Sequence, residues 1–179
     1  MATQAEVIIR KATATDIDAV VAIAEVVVPL MNAVGNYQWN DTYPLRNDFE
    51  KDVAENVLWV AQCGDHIAGF AALTTDQEEE YADCGWDITE KAIVPHRVAV
   101  DPQYRGKSIA LRFMQQAEEL AATAGYRYVR VDTSVLNVAI QGLFVKLDYE
   151  YCGDISFRFN PEIYAKMRFK CYQKLIPIA

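Results

Sequence analysis

Arg105-Gly106-Lys107-Ser108 sets two cations, a glycine and a hydroxyl in four consecutive positions. Upstream, Arg97 to Val100 reads as a short buried strand, β-branched at Val98 and Val100. Asp101-Pro102-Gln103-Tyr104 ends it, because Pro102 removes a backbone donor and fixes φ. Downstream, Ile109, Leu111, Met114, Ala117, Leu120 and Ala121 recur at helical spacing. A strand, a glycine-containing turn and a helix start make an anion site. The first backbone N–H groups of the helix have no internal partner, and the helix dipole favours negative charge there. Arg105 and Lys107 bring two charged donors to the same place. The chemistry that fits is the grip of a phosphate or pyrophosphate.

Two common phosphate ligands are excluded by spacing. A P-loop needs a longer loop and a second glycine before its Lys-Ser pair, and only Lys107-Ser108 is present. A dinucleotide fingerprint needs three glycines where this stretch has one. The formal net charge of −8 argues against nucleic acid as a partner. A polyanion can still dock where Arg105, Lys107 and Arg112 gather. Cys63, Cys84, Cys152 and Cys171 form no CxxC pair and no metal spacing with His66 or His96, so the expectation is no metal and reduced thiols in a cytoplasmic protein. No apolar leader precedes Glu6, and the apolar run from Ala19 to Met31 holds Glu25 and Pro29 and is too short to span a bilayer, so no membrane partner is expected.

The elements that must position the anion site follow from periodicity. A chain of 179 residues suits one domain, 1–179, burying roughly 70% of its unfolded surface. Val7 to Arg10 reads as a first strand. Thr15 with Asp18 forms a capping pair for a helix carrying Ile17, Val20, Val21, Ala24, Val27 and Val28, which Pro29 ends or kinks. Leu45 to Glu55 is a second helix. Val57 to Cys63 and Ile67 to Leu73 are strands joined by a Gly64-Asp65 turn. An acidic connection, Thr75 to Glu90, leads to the strand Ala92 to Val100. Then come a helix from Ser108 to Ala124 closed by Gly125, a strand from Tyr128 to Thr133, a helix from Val138 to Leu147, and two closing strands around Asn160-Pro161.

Val98-Ala99-Val100-Asp101-Pro102-Gln103-Tyr104, Arg105 and Ala110 resemble the acetyl-CoA signature of the GCN5-related N-acetyltransferases (GNAT), and the element order β-α-α-β-β-β-α-β-α-β-β is similar to theirs. A second mark lies between Asn137 and Tyr149. Asn137, Lys146 and Leu147 match, while Ile140, Phe144, Asp148 and Tyr149 stand for the usual Ala, Tyr, Gly and Phe. The resemblance implies an α/β (α+β) fold: a mixed, mostly antiparallel sheet of about seven strands, helices on both faces, and a V-shaped splay between the fourth and fifth strands. Ser108 stands where the family has Gly. At positive φ a serine costs roughly 1 kcal/mol. At negative φ its hydroxyl is free to bond phosphate or cap the helix, and negative φ is the expectation.

The resemblance further implies acetyl-CoA as cofactor, its pantetheine arm lying in the splay against the main chain of Val98, Ala99 and Val100. Arg105, Gly106, Lys107, Ser108, Ile109 and Ala110 would take the diphosphate, and Asn137, Phe144 and Lys146 would be further cofactor contacts, the Phe144 position lying near the cofactor sulfur. A backbone N–H near Arg97 or Val98 would polarise the thioester carbonyl. Phe144 replaces a Tyr proposed in relatives to protonate the departing thiolate, and a phenyl ring has no proton to give. A thiol of pKa near 8.5 is already a fair leaving group. The attacking amine must be neutral. His96, expected on the strand face of Val98 and Val100, and Asp132, near the end of the neighbouring strand, are the candidate bases.

The acceptor is read from Asn36 to Pro44, similar to a Q-W-x-x-x-Y-P run in a bacterial subgroup. Trp39, Tyr43 and Trp86 are expected to line an apolar or cation-binding site, with Glu79, Glu80 and Asp83 drawing in a cationic amine. The implied function is acetyl transfer from acetyl-CoA to a small-molecule amine by direct attack. The alternatives are a non-catalytic acyl-CoA-binding module and a protein N-terminal or lysine acetyltransferase. A homodimer is an expectation of the family alone.

Overall fold

Seven strands form one sheet in the order β1-β2-β3-β4-β5-β7-β6 in a computed structural model that describes residues 6–177. In chain order the elements are β1 (Val7–Lys11), α1 (Ile17–Asn32), α2 (Arg46–Ala54), β2 (Leu58–Cys63), β3 (His66–Thr74), β4 (Ala92–Val100), α3 (Ile109–Ala124), β5 (Tyr128–Ser134), α4 (Val138–Lys146), β6 (Glu150–Ile155), α5 (Pro161–Tyr164) and β7 (Phe169–Leu175). Every neighbouring pair is antiparallel except β4 and β5. The mixed sheet and its splay agree with the fold the sequence implies. The closing strands β6 and β7 form the expected antiparallel pair, and β7 inserts between β5 and β6.

Each face of the sheet buries its own core. On one side α3 and α4 set Ile109, Phe113, Met114, Ala117 and Phe144 against Val129 and Val131 of β5. On the other, Ile17, Val20, Ile23 and Ala24 of α1 and Phe49 of α2 cover Val60, Phe70, Ala72 and Ala99. A third cluster on this second side, built on Tyr81, Trp86, Phe157, Tyr164 and Phe169, extends the wall beneath β6 and β7. One glycine is required by close approach. A Cβ on Gly69 would stand 2.7 Å from the Ala99 carbonyl oxygen and 3.1 Å from Ile109, so its absence lets α3 sit down on β3.

Three local expectations are corrected. The cap before α1 is Thr13 with Asp16, not Thr15 with Asp18. The Asp16 carboxylate accepts from the Thr13 backbone N–H at 2.8 Å and from its hydroxyl at 3.0 Å, and it pairs with Arg10. Asp18 instead reaches out to Arg46. Pro29 does not end α1, which runs on to Asn32 before the chain turns at Gly35. Ser108 lies at φ +58° with no capping bond from its side chain, so the left-handed conformation replaces the negative φ expected for it.

Candidate active site

The site is built around one extra residue in β4. His96 pairs with Ala72 and Ala99 with Phe70, so Arg97 and Val98 together oppose Ala71. Arg97 takes φ +50° at this bulge, which shifts the alternation of side chains by one. The expectation that His96 shares a face with Val98 and Val100 is therefore corrected. His96 points with Phe70, Ala72 and Ala99 toward α1 and α2, while Val98 and Val100 pack against the α3 side. The Arg97 guanidinium is held by Asp52 of α2, which accepts from Nε at 2.8 Å and from an Nη at 2.6 Å, and by the Tyr43 hydroxyl at 2.8 Å.

β4 and β5 stay together for only two residue pairs, Ala92 with Tyr128 and Ile93 with Val129. Beyond Ile93 no described backbone group of β5 bonds to β4. Backbone donors and acceptors do not stay unpaired in a core, so the diverging edges form a slot that suits an extended, amide-bearing chain. The slot opens into a cavity of about 830 Å³ lined from both faces. On the α3 side its wall is Val98, Val100, Arg105, Ala110, Met114, Asn137, Leu143 and Phe144, with Val131 from β5. On the other it is His96, Arg97, Asp132, Glu78, Trp39, Tyr43, Phe157, Phe159 and Tyr164.

The turn before α3 has the form of an anion cradle. Gly106 lies at φ +80° with open space where a Cβ would be, and Ser108 also lies left-handed just before the first helical residue, Ile109. The Ile109 side chain is core, so its contribution at the turn is the backbone N–H. Arg105 faces the cavity, and the Lys107 ammonium sits 5.2 Å from the Tyr104 ring centroid. Arg112 is diverted from this patch, donating to the Val7 carbonyl at 2.7 Å. Asn137 precedes α4 at the cavity wall, whereas Lys146, at the far end of that helix, is exposed and off the lining.

On the opposite face His96 and Asp132 come together. His96 Nε2 lies 3.2 Å from the Asp76 carbonyl oxygen. A carbonyl only accepts, so Nε2 carries the proton of the neutral ring and Nδ1 keeps the lone pair. Burial pushes the imidazole pKa down, against the pull of the Asp132 charge. The Asp132 carboxylate accepts from the Tyr81 hydroxyl at 2.5 Å. Burial raises its pKa despite that bond and the nearby His96. Glu78 stands close by, and burial, reinforced by the Asp132 charge, pushes its carboxyl up as well. A ring held neutral beside a carboxylate can take a proton from an ammonium, the carboxylate offsetting part of what burial costs the imidazolium.

Several side chains singled out for the acceptor are placed elsewhere. Trp86 is buried behind Tyr81, at 5.1 Å between ring centroids, and lies outside the cavity wall. Glu80 is buried and accepts from the Arg158 backbone N–H at 2.8 Å, while Asp83 pairs with the Arg158 guanidinium at 2.9 Å. That acidic run therefore clasps the segment after β6 instead of luring an amine. Trp39 and Tyr43 do line the cavity. Glu78, Tyr81, Phe157, Phe159 and Tyr164 were missed. A carboxylate next to a charge run and aromatics in a closing hairpin carry no local signature, and only the β5–β7–β6 order brings them to β4. Among the described residues no cluster of His, Cys, Asp or Glu could hold a metal, and no helix is long and apolar enough to cross a membrane.

Comparison with known proteins places this geometry. Residues 23–149 match the profile of the acetyltransferase (GNAT) family. A GNAT-family acetyltransferase from Streptococcus agalactiae superposes with a TM-score of 0.78 at 27% identity, covering 98% of each chain. An acetyltransferase from Staphylococcus aureus superposes at 0.70 and 28% identity, over 95% of this chain and 99% of that one. A more distant structure from Salmonella typhimurium, determined with acetyl-CoA, has a TM-score of 0.67 at 17% identity over 96% of this chain and 94% of its own, a likeness of fold. Human N-acetyltransferase 8B is 27% identical over 101 residues, 56% of this chain but only 41% of the length of that protein.

Proposed function

This chain belongs to the acetyltransferase (GNAT) family, and on that premise we propose that it moves an acetyl group from acetyl-CoA to a primary amine of a small molecule. The observation that carries the reading is the slot between β4 and β5. It joins an anion cradle on one face of the sheet to a histidine–carboxylate pair on the other. The residues present fit the cofactor. Arg105 and the N–H groups opening α3 would hold the diphosphate. The unpaired edge of β4 would pair with the pantetheine amides, and Leu143 and Phe144 would flank the arm. Bound there, acetyl-CoA supplies a thioester whose carbonyl carbon is open to a nucleophile.

The chain's own part in the reaction is positioning and proton transfer. Asp132 holds the charge that favours protonation of His96, and Nδ1 of His96 accepts a proton from the arriving ammonium, leaving a neutral amine. A backbone N–H at the bulge, that of Val98, would stabilise the developing oxyanion. Phe144 offers no proton to the leaving sulfur. The thiolate would depart unassisted, as a group of pKa near 8.5 can near neutral pH. The aromatic walls support a small amine over a peptide, which needs a shallow open groove.

The test is thiol release from acetyl-CoA across a panel of amines and peptides, with His96→Ala and Arg105→Glu alongside. His96→Ala should lower kcat by about 10²–10⁴-fold and leave CoA affinity within about twofold. Arg105→Glu should weaken CoA by about 10–100-fold, the worth of a charged hydrogen bond. No heat on titration with CoA, or full cofactor affinity in Arg105→Glu, would overturn the reading.

A further inference from the structure

Resting on that reading, we infer that the acceptor carries its amine on an apolar aromatic body and has no carboxylate of its own, and that Glu78 sets this preference. The argument begins with a charge census of the wall. Its permanent cations are Arg97 and Arg105. Arg97 is neutralised by two bonds to Asp52, and a third goes to the Tyr43 hydroxyl. Arg105 stands at the start of α3, on the cofactor side of the sheet. Among the described residues the charged groups facing the cavity on the acceptor side are therefore Glu78 and Asp132, with no cation left over. An incoming carboxylate would meet two like charges and no counter-ion, an arrangement that rejects it strongly.

An ammonium meets the reverse. Among the described residues the Glu78 carboxylate has no donor or cation against it, and the charges of Asp132, Glu80 and Asp76 crowd it. A cation arriving between Glu78 and Asp132 relieves that crowding. The remaining wall is aromatic. Trp39 lies flat on Phe70, 7° between planes, which fixes its ring at the wall. Tyr164 meets Phe157 and Phe159 at 6.1 and 5.2 Å, both steeply inclined. The Tyr164 hydroxyl donates to the Gln38 carbonyl at 3.2 Å. This bond ties the connection after β6 to the loop after α1 and closes the far end of the cavity. Rings on two sides suit a flat apolar body by stacking and T-shaped contact, and their faces favour the ammonium on its way in.

The experiment uses a matched pair, phenethylamine and L-phenylalanine, which differ only by the carboxylate. Each is titrated calorimetrically into the full chain with and without saturating CoA, and each is assayed for turnover. Phenethylamine should win by about 100-fold in affinity and in kcat/KM. Glu78→Gln should cut that preference about tenfold through KM, with kcat and CoA affinity within about twofold, and Glu78→Asp should restore most of it. L-Phenylalanine bound as well as phenethylamine, neither ligand bound, or a preference untouched in Glu78→Gln would each overturn the inference. Failure of the acetyltransferase reading is distinguishable, because it shows as absent CoA binding whichever amine is preferred.

Discussion

Ser108→Gly should make this protein more stable, although the residue sits at the start of its signature helix. Ser108 is held at φ +58°, ψ +26°, and its side chain makes no capping bond. An L-residue in this conformation gives up about 1–2 kcal/mol because Cβ crowds the following carbonyl. Glycine removes that crowding but adds freedom to the unfolded chain, which offsets about 0.5–1 kcal/mol. The net gain is about 0.5–1 kcal/mol. In a domain of this size that raises Tm by about 1–4 °C. Scanning calorimetry and urea unfolding of wild type, Ser108→Gly and Ser108→Ala would measure it. Alanine keeps the Cβ and loses only a hydroxyl without a capping bond, so it should stay near wild type. A Tm for Ser108→Gly at or below wild type, or equal gains in both variants, would refute the strain argument. If Ser108→Gly gains stability but weakens CoA binding, the serine is retained for the ligand and not for the fold.

Gly69→Ala should destabilise by about 1–3 kcal/mol, because its Cβ would stand 2.7 Å from the Ala99 carbonyl oxygen of β4 and 3.1 Å from Ile109 of α3, and both must shift; urea unfolding checks it. Asp52→Ala strips the buried Arg97 of its counter-ion and should cost about 3–5 kcal/mol. It should also raise the acceptor KM, since Arg97 anchors Tyr43. Asp16, depressed to about 2 chiefly by its bonds to Arg10, contributes about 2 kcal/mol that is present above pH 4 and lost as pH falls through 2. Asp16→Asn should therefore be less stable at pH 7 and approach wild type only as pH falls below 2. His96, lowered by burial, binds fewer protons folded than unfolded, so its contribution to stability is present above about 6.5 and shrinks as pH falls below that. A His96→Gln variant whose stability falls between pH 7 and 5 as steeply as wild type would contradict it.

What could be read from the sequence follows from what is local. The strand from Ala92 to Val100 and the Gly125 cap match the structure because apolar periodicity and a left-handed glycine act over a few residues. The capping pair before α1 was displaced by two positions, since Thr13-Asp16 and Thr15-Asp18 both offer the spacing and only the Arg10 contact chooses between them. The face of His96 was misread because a bulge changes no residue type that a period-two rule can see. Trp86 was misplaced for another reason. Its ring is equally apolar on a cavity wall or behind one, and Tyr81 decides which. The acceptor wall was least legible because Glu78, Tyr164 and Gln38 meet across separations that no window spans.

On the proposed mechanism, the same bulge lets the two halves of the chemistry sit on opposite faces of one strand. In an unbulged strand of the same sequence, strict alternation would put His96 beside Val98 and Val100, on the side where α3 and α4 pack and the slot begins. The base would then crowd the thioester instead of facing it through the gap. With the bulge, Val98 keeps its backbone at the slot while His96 looks into the aromatic end. The cost of the strained Arg97 is met by Asp52 and Tyr43, which fasten the bulge to α2 and the acceptor loop. Deleting Arg97 removes the bulge yet leaves His96 opposite Ala72 and Val98 opposite Ala71, so the facing of both should survive while the tie to Asp52 and Tyr43 is lost. In a folded deletion variant that binds CoA, His96→Ala should still lower thiol release by at least about 100-fold, and a smaller loss would show that His96 is not the group that takes the proton.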